Sequence, residues 1–253
     1  MLKTAIKAAR EAGKIIIKSM DNKKIIDYKS ADNLLTDTDL KAEKKILSII
    51  KEKFPTHSFY TEEGLVKRTI SDNLWVIDPV DGTTNFFHSF PHFSVSIAYL
   101  FKGKVNLGVI FDPIRKELFH AERGKGAFLN NKKIVVSDIA KLTDSLLVSG
   151  FAYERGEIIK INLKNIEKFF NASINGIRRT GSAALDLCYV ACGRADGFWE
   201  FGLKPWDIAA GSLIVTEAGG KITEIKGEKY HLMVVDIVAS NSKIHDQMLK
   251  ILR

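Results

Sequence analysis

The sequence predicts a fold with an antiparallel-rich α+β N-terminal half and an α/β C-terminal half, joined in one compact unit. Between residues 93 and 136, short apolar segments with alternating side chains follow one another with only turns between them, which is typical of antiparallel strands. From about residue 140 onward, strand-like segments alternate with helical ones, as in an α/β arrangement. We therefore predict the two halves at residues 1–138 and 139–253.

The composition allows a large core and gives no sign of a membrane protein. Of 253 residues, 45% are hydrophobic, which is enough to bury a substantial interior. There is no long apolar run and no signal-type block at the N-terminus, so we expect a cytoplasmic protein. Two cysteines, Cys188 and Cys192, have no neighbouring histidine, which argues against a zinc site and favours buried thiols in a reducing compartment.

The net charge of +8 comes from 38 Lys and Arg residues against 30 Asp and Glu residues. Such a charge attracts anionic partners, either phosphorylated metabolites or nucleic acid. The lysines are scattered along the chain rather than grouped with aromatic residues. This distribution favours an ordinary solvated surface and argues against a nucleic-acid interface.

The N-terminal segments predict a helix, a loop and a second helix. Apolar residues recur every three or four positions over residues 2–20 and predict an amphipathic helix. Residues 21–35 are rich in turn formers and predict a loop, which could act as a mobile lid beside a phosphate site. The segment 36–39 contains helix-capping residues and precedes a second helical pattern that ends at Phe54-Pro55.

Carboxylates follow two predicted strands. The strand at 57–61 leads into Glu62, and residues 65–73 read as a surface connection. The apolar strand at 74–77 ends on Asp78, with Asp81 three residues later. Pro79 favours an extended conformation for the residue before it.

A glycine and two threonines follow the second carboxylate. Gly82 permits a close backbone approach, and its N–H group, with those of Thr83 and Thr84, can open a helix that faces an anion. Two carboxylates, a hydroxyl and these N–H groups at one strand end predict a site for a hard cation and a phosphate.

The remaining segments complete the two halves. Strands are predicted at 93–99 and 105–111 with a hairpin turn at 102–104, then at 117–121 and at 126–136, the last interrupted by Asn130-Asn131. His88, His92 and His120 lack metal-binding spacing and are predicted to lie at the surface or to be hydrogen-bonded.

In the second half we predict strands at 146–149, 195–200 and 234–239 and helices at 158–170 and 242–252. Two further helices begin at Gly181-Ser182 and at Pro205, the second ending at Gly219-Gly220.

Several of these segments resemble one family. The string Asp-Pro-Val-Asp-Gly-Thr-Thr-Asn-Phe at 78–86 closely resembles the signature of the inositol monophosphatase family of magnesium-dependent, lithium-sensitive sugar phosphatases. Leu-Leu-Thr-Asp-Thr-Asp at 34–39, Gly-Ser-Ala-Ala at 181–184 and the segment 206–220 match further family motifs in register. Taken singly, each segment also reads as a turn or a helix start. The resemblance implies a layered α/β/α/β/α sandwich, usually a homodimer.

The resemblance also implies two to three Mg²⁺ ions per subunit. Glu62, Asp78 and the Val80 carbonyl would hold one ion, Asp78, Asp81 and Asp207 a second, and a weaker third would lie near Glu62. The residues themselves support a hard cation, because all the side-chain ligands are carboxylates. So much negative charge would also repel a phosphate unless cations neutralised it.

The family roles of the other residues carry over by position. Asp39 and Thr83, together with Glu62, would orient and deprotonate the attacking water. The N–H groups of Gly82 and Thr83 would bind the phosphate group of the substrate. On its hydroxyl side the implied residues are Ser182, Ala183 and Glu200, with Arg179 as a candidate for a second phosphate or as a surface charge.

The implied function is hydrolysis of inositol 1-phosphate by a metal-activated water. Fructose 1,6-bisphosphatase activity, alone or together with the first, is the alternative within the same chemistry. An alternative of another class is a binding factor associated with RNA polymerase or RNA, since some bacterial relatives have that role on the same fold. The intact set of carboxylates favours the enzyme.

Overall fold

The computed structural model describes residues 1–20, 26–30, 33–151 and 156–253. In chain order its α-helices are α1 (Leu2–Ser19), α2 (Asp37–Lys53), α3 (Thr83–Phe87), α4 (Glu157–Asn171), α5 (Ala183–Ala191), α6 (Pro205–Glu217) and α7 (His245–Leu252). Its strands are β1 (Ile26–Ser30), β2 (Asn33–Thr36), β3 (Ser58–Thr61), β4 (Asn73–Asp81), β5 (Ser94–Phe101), β6 (Lys104–Asp112), β7 (Glu117–Glu122), β8 (Ala127–Leu129), β9 (Lys132–Ile134), β10 (Leu146–Ser149), β11 (Gly176–Arg178), β12 (Gly197–Glu200), β13 (Lys221–Glu224) and β14 (Ile237–Ser240).

Two large sheets form the frame. The first runs β3-β4-β5-β6-β7-β8-β9 in chain order, with β3 and β4 parallel and the other neighbours antiparallel. The second runs β11-β10-β12-β14-β13, where β10 is parallel to both of its neighbours and β14 is antiparallel to both of its own. The antiparallel-rich first half and the α/β second half are therefore confirmed, whereas the boundary at 138–139 stays a prediction.

The helices form layers around these sheets. On β4, Trp75 and Ile77 pack into a core with α1 and α2, while Leu74 and Val76 point into a different core with α5 and α6. This alternation follows from the period of two along a strand. The core with α5 and α6 also contains Phe198 of the second sheet. A third core lies between that sheet and helices α4 and α7. The layers thus alternate α/β/α/β/α, as the resemblance implied.

Three predictions of local structure need correction. The segment predicted as a loop at 21–35 contains β1 and β2, which pair as an antiparallel hairpin. Residues 21–25 and 31–32, and with them the suggested lid motion, lie outside the described residues. The strand β13 was not predicted, and the last helix begins at His245 rather than at residue 242.

The last strand begins at Ile237, three residues later than predicted. The preceding residues bond elsewhere, since Leu203 N–H donates to Val235 O at 2.8 Å and Gly202 N–H donates to the Asp236 carboxylate at 2.9 Å. They therefore hold the loop after β12 instead of extending the ladder.

The histidines and cysteines singled out in the sequence differ in burial. His88 is exposed, as predicted, whereas His92 and His120 are buried and their Nε2 atoms have no hydrogen-bond partner within the described structure. Burial lowers the pKa of His120, and a hydrogen bond with Asn131 opposes that shift. Burial lowers the pKa of His92 to about 4, so its ring is neutral and tolerates an apolar site. Cys188 on α5 and Cys192, the C-cap of that helix, are both free thiols. Within the described ranges, no helix combines the length and apolarity required to cross a membrane.

Candidate metal and substrate site

Three carboxylates meet where the first sheet faces α6. Oxygen atoms of Asp78, Asp81 and Asp207 all lie within 4.8 Å of one another, close enough to share one metal ion. Asp78 and Asp81 are buried at the end of β4, and Asp207 is half-buried in the first turn of α6. A backbone bond from Lys204 N to Asp207 Oδ2, at 2.7 Å, fixes the last of these side chains.

An irregularity in β4 brings the two aspartates of that strand to one place. Residues three apart in a regular strand point to opposite faces. The pairing with β5, however, shifts between Asp78 and Asp81, as at a β-bulge. Within this bend, Val80 N–H donates to Asp78 Oδ1 at 2.9 Å. Strand β4 therefore extends to Asp81, further than the sequence predicted, and both carboxylates reach the same cluster.

Asp81 joins the two halves of the molecule. Its Oδ2 accepts hydrogen bonds from the Ser182 hydroxyl, from Ala184 N–H at 3.1 Å and from the Ser94 hydroxyl at 3.3 Å. Ser182 is the N-cap of α5, as predicted. Because its hydroxyl already donates to Asp81, the structure links Ser182 to the carboxylate cluster; its predicted contact with substrate stays a prediction.

Glu62 lies next to Asp78 because β3 and β4 are parallel and in register. Thr61 pairs with Ile77, and Glu62 N–H donates to Ile77 O at 3.1 Å. Burial is the main cause of the raised pKa of Asp78, and a side-chain hydrogen bond with Glu62 contributes to the same shift. Glu62 is not one of the three carboxylates within 4.8 Å of each other, so it borders the cluster rather than completing its tightest part.

Glu43, which was not among the predicted site residues, orders the turn that carries Glu62. This buried carboxylate on α2 accepts 2.9 Å hydrogen bonds from the Thr61 hydroxyl and from the N–H groups of Glu63 and Leu65. One signal was available in the sequence. Glu43 lies four residues after Asp39, so the two share one face of α2.

The predicted pair of Thr83 and Asp39 is in contact. Thr83 Oγ1 lies 3.2 Å from Asp39 Oδ1 and 3.0 Å from Val80 O. All three residues are buried. Gly82, just before Thr83, has φ +93°, and an added Cβ would lie 3.0 Å from Gly181 O. Glycine is therefore required here both by the backbone conformation and by the close approach of the α5 segment.

The residues predicted for the substrate side differ in burial and charge. Glu200 is buried at the end of β12, and its pKa is raised well above the usual range by burial, then by the charges of Asp186 and Asp81. Ala183 is buried at the first position of α5. Arg179 is exposed; burial raises the pKa values of both Asp186 and Glu200, and the positive charge of Arg179 opposes that rise. It therefore belongs to this side and not to the carboxylate cluster.

The cluster carries the charge pattern that a cation would relieve. Burial, followed by the charges of neighbouring carboxylates, raises the pKa of Asp78 and of Asp207 well above the usual range. Burial also raises the pKa of Asp81 to about 6, although its hydrogen bond from Ser182 opposes the shift. Like charges this close cannot all ionise without compensation. An all-carboxylate donor set fits Mg²⁺ and does not suit a soft metal.

This charge pattern predicts how stability changes with pH. A carboxyl whose folded-state pKa is raised stabilises the fold fully below its ordinary pKa, and that stability is lost as the pH rises through the raised value. For Asp81 the loss begins near its ordinary pKa and is complete above about pH 6. The metal-free chain should therefore melt at a lower temperature at about pH 8 than at about pH 5, whereas Mg²⁺ should restore stability mainly at the higher pH. Thermal melts in EDTA and in Mg²⁺ measure this, and a Mg²⁺ effect independent of pH would contradict it.

Comparisons with known proteins agree on one family. The model of the inositol monophosphatase family matches residues 1–253. The Nus factor SuhB of Escherichia coli is 42% identical over 256 residues, covering 100% of this chain and 96% of that protein. The crystal structure of extragenic suppressor protein suhB from Bartonella henselae superposes with a TM-score of 0.94 at 38% identity, covering 99% and 97% of the two chains. Inositol monophosphatase from Anabaena gives 0.89 at 40% identity, covering 99% and 94%.

Proposed function

Since the chain belongs to the inositol monophosphatase family, we propose that it is a magnesium-dependent phosphomonoesterase that hydrolyses inositol 1-phosphate. The observation that carries this proposal is the meeting of Asp78, Asp81 and Asp207 within 4.8 Å, with Glu62 in contact with Asp78. A cluster of carboxylates with such strongly raised pKa values is costly for the fold and is typical of a functional site. A metal-binding function also explains why three separate segments of the chain bring carboxylates to this place.

The predicted division of ligands fits these contacts. Glu62, Asp78 and the Val80 carbonyl would hold one Mg²⁺ ion, and Asp78, Asp81 and Asp207 a second. When bound, Mg²⁺ supplies a water of lowered pKa and a positive charge that offsets the charge of the phosphate and the leaving alkoxide. Thr83 Oγ1 lies 3.0 Å from the Val80 carbonyl oxygen, and a carbonyl oxygen has two lone pairs, so a contact with the ion is available.

Thr83 and Asp39 would orient the attacking water. With its proton directed to the buried Asp39 carboxylate, the Thr83 hydroxyl can accept a hydrogen bond from that water. Asp39 sits in the first turn of α2, where the helix dipole favours a negative charge. The N–H groups of Gly82 and Thr83 are proposed to bind the phosphate oxygens, because both belong to the tight turn between β4 and α3.

Glu200 would accept hydrogen bonds from the hydroxyls of the substrate. Its place depends on Gly150, because a Cβ added at Gly150 would overlap both oxygens of the Glu200 carboxylate. Gly150 is held in turn by Asn162, whose amide donates to Gly150 O at 2.7 Å and accepts from Trp199 Nε1 at the same distance. Helix α4 therefore supports the substrate side of the site.

Gly150→Ala is expected to displace Glu200 and to weaken inositol recognition selectively. We expect KM for inositol 1-phosphate to rise about 10-fold, which is roughly 1.4 kcal/mol, while a phosphate ester without an inositol ring is affected less. The matched control is the same substitution in a Glu200→Ala background, where it should add little. Equal losses on both substrates, or in both backgrounds, would contradict this role for Gly150.

Phosphate release with and without Mg²⁺ tests the proposed function. Inositol 1-phosphate and fructose 1,6-bisphosphate are compared directly, because a dual-specificity sugar phosphatase is the nearest alternative. Inhibition by Li⁺ is expected as well. A folded chain that binds Mg²⁺ but releases phosphate from neither sugar would argue against the enzyme.

A second candidate function is a role in transcription. It is favoured by relatives that are 42% and 44% identical over nearly the whole chain and are named Nus factor SuhB. The net charge of +8 is compatible with an acidic or nucleic-acid partner. Retention of RNA polymerase by the immobilised chain at high salt, unchanged by Asp78→Asn, would support this function independently of catalysis.

A homodimer in the cytoplasm remains part of the proposal. Exposed large apolar side chains include Phe90 and Phe170, which are candidates for burial between two copies. The two free cysteines are compatible with a reducing compartment. Light scattering coupled to size-exclusion chromatography measures the oligomeric state directly.

A further inference from the structure

We propose that Arg68 is a positioning residue that holds the segments of Glu62 and Asp207 at the separation Mg²⁺ binding requires. This inference rests on the proposed metal site. Arg68 lies in the coil between β3 and β4, which the sequence suggested was only a surface connection. Its role follows from four contacts, of which three reach β3 and the residue after it and one reaches the start of α6.

The first two contacts are hydrogen bonds to the end of β3. Arg68 Nε donates to Thr61 O at 3.0 Å, and Arg68 Nη2 donates to Glu62 O at 2.9 Å. Two donors of one planar guanidinium therefore bind successive carbonyl groups, the second belonging to the candidate ligand itself. A planar fork with fixed donor directions specifies geometry better than a single ammonium group does.

Of the other two contacts, one reaches Trp206 at the start of α6 and the other reaches Tyr60 on β3. The Arg68 guanidinium carbon lies 4.7 Å from the centre of the Trp206 ring and 5.3 Å from that of the Tyr60 ring. The two rings are themselves 5.7 Å apart. These distances are within the range of cation–π attraction. Trp206 directly precedes Asp207, so the same guanidinium touches the backbone of one candidate ligand and the neighbour of another.

This bridge matters because β3 is the edge strand of its sheet. On its inner side, β3 is fixed by β4, and Glu43 holds the turn after it. The start of α6 is tied separately to the sheet, since the Ser96 hydroxyl donates to Trp206 O at 3.2 Å. Arg68 contacts both segments at once. Its loss should therefore loosen the spacing of Glu62 and Asp207 without breaking the core.

The direction in which Mg²⁺ affinity changes when Arg68 is removed distinguishes a positioning role from a purely electrostatic one. Arg68 carries a positive charge close to a cation site, so charge alone predicts that removing it strengthens Mg²⁺ binding. Positioning predicts the opposite. Lys67 is an exposed cation one residue earlier, and Lys67→Ala is the matched control because it removes the same charge. Arg68→Lys keeps the charge but loses the planar fork.

The experiment is calorimetric titration of the full chain with Mg²⁺, together with the Mg²⁺ dependence of phosphate release. For Arg68→Ala we expect Mg²⁺ affinity about 10-fold weaker, as for other groups that orient ligands, with kcat at saturating Mg²⁺ little changed. Arg68→Lys should restore little of this loss, and Lys67→Ala should bind Mg²⁺ as well as the unmodified chain or better. Unchanged or tighter binding in Arg68→Ala, or full rescue by Arg68→Lys, would overturn the proposal.

The same titration distinguishes this inference from the proposed function. If the unmodified chain binds Mg²⁺ but hydrolyses no sugar phosphate, the phosphatase proposal fails, and the binding constants of the variants still decide the role of Arg68. If the unmodified chain binds no Mg²⁺, both proposals are overturned. A fall in kcat at saturating Mg²⁺ with unchanged affinity would overturn the role of Arg68 alone.

Discussion

Asp78→Asn is expected to abolish magnesium-dependent phosphate release while stabilising the metal-free chain. Asp78 is assigned to both proposed Mg²⁺ sites, so its loss should reduce turnover at least about 100-fold, the upper end of what even indirect ligand partners cost. Asparagine keeps the size of the side chain and an oxygen that can accept from Val80 N–H. The local bend of β4 should therefore persist, and only the charge is removed.

The gain in stability follows from the surroundings of Asp78. Its pKa is raised first by burial and then by the charges of Glu62, Asp81 and Asp207, so ionisation at neutral pH works against the folded state. A neutral amide removes that cost, and we expect the metal-free variant to melt about 2–4 °C higher, which is roughly 1 kcal/mol for a chain of this size. Mg²⁺ should then stabilise the unmodified chain but not the variant.

A matched control is available at the end of β6. Asp112 is also fully buried, but it accepts hydrogen bonds from Ile114 N–H, Arg115 N–H and the Arg115 guanidinium. Asp112→Asn should therefore destabilise the chain at every Mg²⁺ concentration and leave the metal dependence unchanged. If Asp78→Asn behaves in the same way, the cluster is a structural element and the proposed enzyme is contradicted.

The parts of the site that sequence predicts best are those fixed by local chemistry. Asp78 and Asp81 follow a buried strand and precede a turn that needs glycine, and Asp207 lies in the first turn of a helix that begins with proline. Each placement depends on a few neighbouring residues. The contact of Asp207 with Asp78 and Asp81 is not local, because it depends on how α6 packs between the sheets. Only the family resemblance implied that contact.

The parts that were missed depend on partners far away in the chain. Glu43 reads as one more charged residue on a helix, and its role appears only when the turn after β3 supplies three donors. Arg68 lies in a segment without periodicity. Strand β13 is short and lies at a sheet edge, where it pairs with β14 and has only weak alternation of its own. Non-local pairing of this kind leaves little trace in a single sequence.

The close packing of α6 on β6 leads to the largest expected effect on stability. A Cβ added at Gly108 of β6 would lie 2.6 Å from Ala210 O, 3.1 Å from Ala210 Cα and 3.2 Å from Ala210 C. All three atoms belong to the backbone of α6, so no change of rotamer can relieve the overlap. Either the helix moves away from the sheet or the core between them opens.

Gly108→Ala should lower the free energy of unfolding by about 3 kcal/mol, the upper end for an overpacked core. It should also weaken Mg²⁺ binding, because a displaced α6 carries Asp207 with it. Gly13→Ala on α1 is the matched control, since its added Cβ would meet side-chain atoms of Phe111 and Pro113, the nearest at 2.6 Å on the half-buried Phe111 ring. That ring can turn, so a smaller loss and unchanged Mg²⁺ binding are expected. Urea unfolding and Mg²⁺ titration of both variants measure the difference, and a Gly108→Ala chain as stable as Gly13→Ala would show that α6 does not lie this close to β6.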